Sequence, residues 1–208
     1  MNIKPHNFAN IATVSEYPND IYVIHNLIDD SFCENMIKII DNTKLKRCEH
    51  SYNNNVEMYV TTINNIIKND NNNKIFNRHI SLFLSGYVRA IAYIINEINS
   101  NVFKSIIPKI SEVEMRKIYG PTRLHVDSIN IHDCRLLTCI IALNGDYGDG
   151  ILSFPNQDVN IKLNKGDIVV FPPYWTHPHS ASCPNINHRY TMSFWFLHET
   201  NPGGLDIS

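Results

Sequence analysis

The sequence predicts an α+β protein in which a helix-rich N-terminal half supports a β-rich C-terminal half. Apolar residues recur at helical spacing twice before residue 110. After that point short β-branched and aromatic runs follow one another, separated by Gly, Asn, Asp and Pro clusters. Neither half is bounded by a linker-like stretch. At 208 residues and 24.0 kDa the chain is therefore expected to form a single domain over 1–208. Within it, 1–110 is the helical support, 111–198 the β core and 199–208 a tail.

Residues 21–25 read as a strand. Asp29, Asp30 and Ser31 offer N-cap chemistry for a helix carrying Phe32, Met36, Ile39 and Ile40 on one face. A second, longer helix is expected over 80–98, with Leu84, Tyr87, Val88, Ile91, Ile94, Ile95 and Ile98 as its apolar stripe. Between them, 46–74 is polar and uneven, a loop or weak hairpin. The β half offers runs at 112–119, 135–143, 150–154, 159–163, 167–171 and 189–197. Strands this short and this regularly spaced suggest a sandwich, a barrel or a jelly roll.

Composition narrows the function. Lys plus Arg number 18 against 20 Asp plus Glu, for a net charge of -2. That disfavours a broad cationic face for duplex nucleic acid or anionic membrane. Five cysteines without a CxxC pair suggest a reducing compartment and a cytoplasmic protein, in a host cytoplasm if the source is viral. The first ten residues lack an apolar signal-like run, and 80–98 is too polar to span a bilayer. The 28 Asn and 30 Ile follow from AT-rich codons, and the Asn runs at 53–55 and 71–73 read as surface loops.

The chemistry-bearing residues concentrate in the β half, where five of the ten histidines lie between 125 and 188. His125 and Asp127 are two apart, so on a strand end both face one side. About one such His-x-acid pair arises by chance in a chain of this composition. His177-Pro178-His179 adds a second imidazole pair, and either histidine can complete a two-His, one-carboxylate set for a divalent metal. His132-Asp133 cannot, because adjacent strand residues point to opposite faces. Arg189 opens an otherwise apolar run, so it either snorkels to the barrel rim or is buried as a guanidinium, which is costly without an anion. A small carboxylate held bidentately would serve.

The order His125-x-Asp127, His179, then Arg189 ten residues on resembles the iron(II)- and 2-oxoglutarate-dependent oxygenases, in particular their prolyl 4-hydroxylase-like branch. Further segments carry the resemblance: Tyr119-Gly120-Pro121, Arg135-x-x-Thr138 with Ala142-Leu143-Asn144, Asp149-Gly150 to Phe154-Pro155, Lys165-Gly166-Asp167 and Phe171-Pro172. Departures are Ile151 where the family writes an acid, Arg189 with Thr191 where the branch often uses Lys, and the close spacing of Tyr119 to His125.

The resemblance implies a double-stranded β-helix (jelly-roll) core with N-terminal supporting helices. It implies Fe(II) on His125, Asp127 and His179, with His177 still open as the distal ligand. It also implies 2-oxoglutarate on Arg189, with Thr191 and Tyr119 as further contacts, and O2 as oxidant with ascorbate as a possible support. The expected reaction hydroxylates a protein or peptide side chain, proline first, releasing succinate and CO2. Arg123 and Trp175 are candidate substrate contacts, and Tyr52, Met58 and Tyr59 are available to a peptide. The alternatives are a small-molecule or nucleic-acid substrate within the family, a cupin-type metal jelly roll without 2-oxoglutarate, and a non-catalytic β-sandwich.

Overall fold

A computed structural model describes residues 4–8, 12–48, 58–69, 74–99, 109–129, 134–198 and 205–206. The N-terminal part runs β1 (Lys4–Phe8), β2 (Ala12–Tyr17), β3 (Ile21–His25), α1 (Asp30–Asn42), β4 (Lys46–Arg47), β5 (Met58–Thr62), α2 (Ile63–Asn69), α3 (Lys74–Leu82), a π-helical turn (Phe83–Tyr87) and α4 (Val88–Ile98). The remainder is β: β6 (Lys109–Ile110), β7 (Glu114–Ile118), β8 (Thr122–His125), β9 (Arg135–Ala142), β10 (Leu152–Phe154), β11 (Val159–Ile161), β12 (Ile168–Phe171), β13 (His179–Ala181), β14 (Arg189–Leu197) and β15 (Leu205–Asp206).

The strands form two sheets, with every pairing antiparallel. The larger is ordered β1-β2-β3-β12-β9-β14-β7-β5-β4, with β6 also paired to β14 and β15 to β6; the smaller is β11-β10-β13-β8. Period-two alternation sorts each central strand onto two faces. Tyr22 and Ile24, Leu137, Cys139 and Ile141, Ile168 and Val170, and Met192, Phe194 and Phe196 join the helices in one core. Ile21 and Val23, Ala142, Val169 and Phe171 face the small sheet's Leu152, Phe154, Val159 and Ile161 in a second core. The helices thus cover one face of the large sheet, and the small sheet covers the other.

Helix α1 begins where its cap chemistry predicts. Asp29 accepts from the Phe32 amide at 2.8 Å, and Phe32, Cys33, Met36 and Ile40 are buried. The helix expected over 80–98 starts earlier, at Lys74, and contains the π-helical turn. Ser85 and Gly86 lie in that turn, and Ser85 Oγ donates to Ser81 O at 2.6 Å. Phe83 in the same turn stacks on Phe32 and meets Phe194 edge-on.

Segment 46–74 is less loop-like than expected. Lys46 and Arg47 pair with Val60 and Tyr59, β5 joins the large sheet beside β7, and 63–69 is helical. Strands β1 and β2 were not signalled, because β1 is the sheet's edge strand, β2 lies next to it, and both carry mixed polar sequence. The Asn runs, Tyr52 and His132-Asp133 lie outside the described residues. No helix among the described residues is long and apolar enough to cross a membrane.

Candidate metal and anion site

The two sheets enclose a cavity whose wall is written in the alternation of β14. Its even-numbered residues pack toward the helices, while Arg189, Thr191 and Trp195 line the cavity and Ser193 shares their face. Opposite them β8 and β13 supply Thr122, His125, His179 and Ala181, and β9 adds Thr138 and Ile140.

At one end of this cavity His125, Asp127 and His179 bring their donor atoms within 4.8 Å of one another. His125 and His179 face each other as direct partners across the β8–β13 ladder. Both imidazoles are oriented by backbone carbonyls. His125 Nδ1 donates to Arg123 O at 2.8 Å and His179 Nδ1 to His177 O at 3.2 Å, so each Nε2 is left with a lone pair. Those Nε2 atoms lie 3.4 and 3.8 Å from Asp127 Oδ1.

The loop carrying Asp127 is pinned at several atoms. The Asp127 and Ser128 amides donate to Pro173 O at 3.0 and 2.9 Å, and the Arg135 guanidinium donates to Asp127 O. Thr138 Oγ1 and Trp195 Nε1 donate to Asp127 Oδ2 at 2.7 and 3.3 Å. Oδ2 is thereby occupied and Oδ1 is turned toward the histidines. Burial alone would raise the Asp127 carboxyl, but the hydrogen bonds and imidazoles around it hold it well below the usual carboxylate range. The hydrogen bond to Asp127 raises His125, while burial pulls His179 down to about 4 and keeps it neutral near pH 7. Two neutral-capable imidazoles and one ionised carboxylate on one side fit a divalent transition metal that keeps open positions.

The other end is cationic. Arg189 is 9% exposed, and among the described residues its guanidinium makes one hydrogen bond, from Nη1 to Gly150 O at 3.1 Å. Gly150 holds φ at 68°, and a Cβ there would sit 2.8 Å from the Tyr147 ring, so only glycine presents that carbonyl. Arg189 Nε, Thr191 Oγ1 and Ser193 Oγ are buried without partners among the described residues. No carboxylate among the described residues pairs with this guanidinium. Burying a cation and two hydroxyls unpaired costs stability, which an anionic ligand in the cavity would offset. A carboxylate fits this end by charge and donor geometry.

Of the sequence-predicted residues, the structure brings together His125, Asp127, His179, Arg189 and Thr191. His177 is not with them: it precedes β13, and its ring bonds Asn19 O at 2.6 Å and Thr176 Oγ1 at 2.8 Å in a groove outside the metal cluster. Tyr119 falls outside the cavity as well. Arg116 and Ile118 are the β7 residues that face inward, so Tyr119 turns out against Tyr59 and His188, with ring centroids at 5.7 and 4.0 Å.

Arg123 and Trp175 are also outside the cavity. Two residues apart on one strand, Arg123 and His125 would share a face, but the β8–β13 register shifts between His179 and Ala181; Thr122 and His125 line the cavity and Arg123 is exposed. Trp175 is 79% exposed on the outer groove. Met58 and Tyr59 sit in β5, away from the cavity lining. Ile151 is on the surface, so it takes no place in the cavity. Sequence reading missed Arg116 and the buried Tyr147, which also line it. Arg116 had a visible signal, a cation two residues from an apolar Ile118 on a predicted strand.

Residues 115–197 match the family model of the 2OG-Fe(II) oxygenase superfamily. A putative prolyl 4-hydroxylase of Acanthamoeba polyphaga mimivirus is 22% identical over 198 residues, covering 89% of this chain and 77% of that protein. Two solved structures share the fold. A viral collagen prolyl hydroxylase from Paramecium bursaria Chlorella virus-1, in complex with 2OG, aligns with a TM-score of 0.57 at 17% identity, covering 86% of this chain and 95% of that one. A Trichoplax adhaerens prolyl hydroxylase, bound to a hypoxia inducible factor oxygen degradation domain peptide fragment, aligns at 0.61 and 15% identity, covering 88% and 85%. Through the segment that carries its metal-ligand candidates and Arg189, the chain is similar to the 2OG-Fe(II) oxygenase superfamily, and over most of its length it is similar to prolyl hydroxylases.

Proposed function

We propose that this protein is an Fe(II)- and 2-oxoglutarate-dependent dioxygenase that hydroxylates a protein or peptide side chain, with proline the leading target. The observation that carries the reading is one cavity with a metal-type donor triad at one end and an anion-less buried guanidinium at the other. The match of residues 115–197 to the superfamily model supports the cofactors, and the prolyl hydroxylase relatives support the substrate class. We read the two facing sheets as a double-stranded β-helix and residues 1–208 as one oxygenase domain.

His125, Asp127 and His179 would hold the metal, and Arg189 with Thr191 the far carboxylate of 2-oxoglutarate. Bound together, the metal and 2-oxoglutarate supply the oxidising power: O2 is consumed, 2-oxoglutarate becomes succinate and CO2, and one oxygen atom enters a substrate C–H bond. The chain's own work is orientation. Thr138 and Trp195 fix the carboxylate, the Arg123 and His177 carbonyls fix the two imidazoles, and the apolar packing between the sheets holds the cavity walls in place.

The test incubates anaerobically iron-loaded protein with 2-oxoglutarate and ascorbate, admits air, and follows succinate by NMR with and without proline-containing peptides. Peptide-stimulated succinate and a 16-mass-unit gain on the peptide, both absent with Asp127→Ala, are expected (16 being the mass of one oxygen atom). Succinate without gain on any peptide would contradict the substrate class and leave the cofactor chemistry standing.

A further inference from the structure

The cavity contains a second guanidinium that the triad and Arg189 leave unexplained. Arg116 stands on β7 directly opposite Thr191 of β14, one row from the Arg189–Ile118 pair and one row from the Ser193–Glu114 pair. It lines the cavity with its side chain 21% exposed. Its Nε and Nη2 donate to a single oxygen, Glu114 Oε2, at 2.9 and 2.5 Å. Nη1 has no hydrogen-bond partner among the described residues.

The direction of that contact matters. Along β14 the rows run Arg189, Thr191, Ser193, Trp195, and Trp195 bonds Asp127 at the metal end. Glu114 lies on the Ser193 row, so it draws the Arg116 head away from Arg189 and toward the triad. The cavity therefore carries two cations at different depths, a pattern suited to a ligand with two separated negative charges.

We infer that Arg116 is a specificity-determining residue for the co-substrate, contacting the carboxylate next to the 2-oxo group while Arg189 takes the distal one. The inference rests on the 2-oxoglutarate reading above and assigns a residue that reading does not need. Glu114 then acts as a positioning residue, holding two of the guanidinium's donors and leaving Nη1 turned to the ligand.

Two probes separate the ends of the ligand: 2-oxoglutarate, and 2-oxopentanoate, which has the same chain length without the distal carboxylate. Binding is measured by calorimetry on Mn(II)-loaded protein, so the readout does not depend on turnover. Arg116→Gln is expected to weaken both probes by the same factor, about tenfold. Arg189→Gln should weaken 2-oxoglutarate to the level of 2-oxopentanoate and leave 2-oxopentanoate unchanged. Arg116→Lys, which keeps a cation, should recover most of the loss.

Glu114→Gln with Arg116→Gln removes the ion pair as a unit, and thermal melts check that each variant is folded. Unchanged affinity in a folded Arg116→Gln variant with a lower melting temperature would make the pair purely structural and overturn the inference. A loss confined to 2-oxoglutarate would place Arg116 at the distal end and overturn it too. If Mn(II)-loaded wild type binds neither probe, the proposed function itself falls, an outcome distinct from both.

Discussion

Thr138 Oγ1 donates to Asp127 Oδ2 at 2.7 Å, across eleven residues of chain that leave one strand region and return on another. Trp195 Nε1 reaches the same oxygen from β14, and the Arg135 guanidinium lies 3.9 Å from the Trp195 ring centroid while donating to Asp127 O. The Arg135-x-x-Thr138 pattern is thus a clamp on one carboxylate. Thr138→Val keeps the shape and removes the donor, so Mn(II) affinity measured by calorimetry should fall about 10-fold or more. Thr138→Ser should retain near wild-type affinity. Equal affinities for Val and Ser would show that the hydroxyl does not position Asp127.

Arg189 is carried at a cost to the folded chain. It is buried with Nε unpaired among the described residues, and burial lowers its affinity for a proton. Arg189→Met removes that uncompensated charge and keeps most of the volume. The ligand-free variant should be as stable as wild type or more stable by about 1 kcal/mol, while 2-oxoglutarate binding is lost. Denaturant melts and calorimetry check the two halves separately. Strong destabilisation together with intact binding would contradict the assignment.

Asp29 caps α1 by accepting from the Phe32 amide and from the Ser31 and Tyr87 hydroxyls. Those bonds lower its carboxyl from 3.8 to about 2, with Ser31 the largest cause. A depressed carboxyl stabilises the fold above its unfolded value and loses that contribution as pH falls toward the folded one. Asp29→Ala should therefore cost about 1 kcal/mol at pH 6. The gap between wild type and variant should narrow below pH 4 and nearly close by pH 2. A gap independent of pH would mean that the charge plays no part in the cap.

The cysteines report the packing. Cys33 and Cys139 are fully buried, and burial pushes the Cys33 thiol up to about 12. Cys183 is exposed. Native-state alkylation followed by mass spectrometry should modify Cys183 and spare Cys33 and Cys139 until denaturant is added. Early labelling of Cys139 would mean that the strands around it open readily.

Much of the fold was legible because β9, β12 and β14 are buried on both faces and read as β-rich runs bounded by turn residues. Gly166 illustrates the turns: its φ is 82° and a Cβ would meet Ile28 O at 2.7 Å. Strands β1, β2, β8 and β13 were not legible. The first two, the edge strand and its neighbour, carry mixed polar sequence, and the last two are three or four residues long, held by pairing rather than propensity.

The site divided the same way. His125, Asp127 and Arg189 could be read from spacing and burial cost. Alternation alone admitted His177 as well as His179; the resemblance and the ten-residue interval to Arg189 favoured His179, and the placement of β13 puts His179 beside His125 and turns His177 to the outer groove. Tyr119, Arg123 and Arg116 turned on which residues of β7 and β8 face inward. A one-residue offset or a register shift reverses that, and only the strand pairing fixes it.

The most direct test of the whole account is 2-oxoglutarate binding to Mn(II)-loaded wild type beside Asp127→Ala and Arg189→Met, by calorimetry. The account predicts metal-dependent binding of one 2-oxoglutarate per chain, lost in both variants, with metal binding itself lost only in Asp127→Ala. Undiminished 2-oxoglutarate binding in Arg189→Met, or in protein stripped of metal, would contradict it.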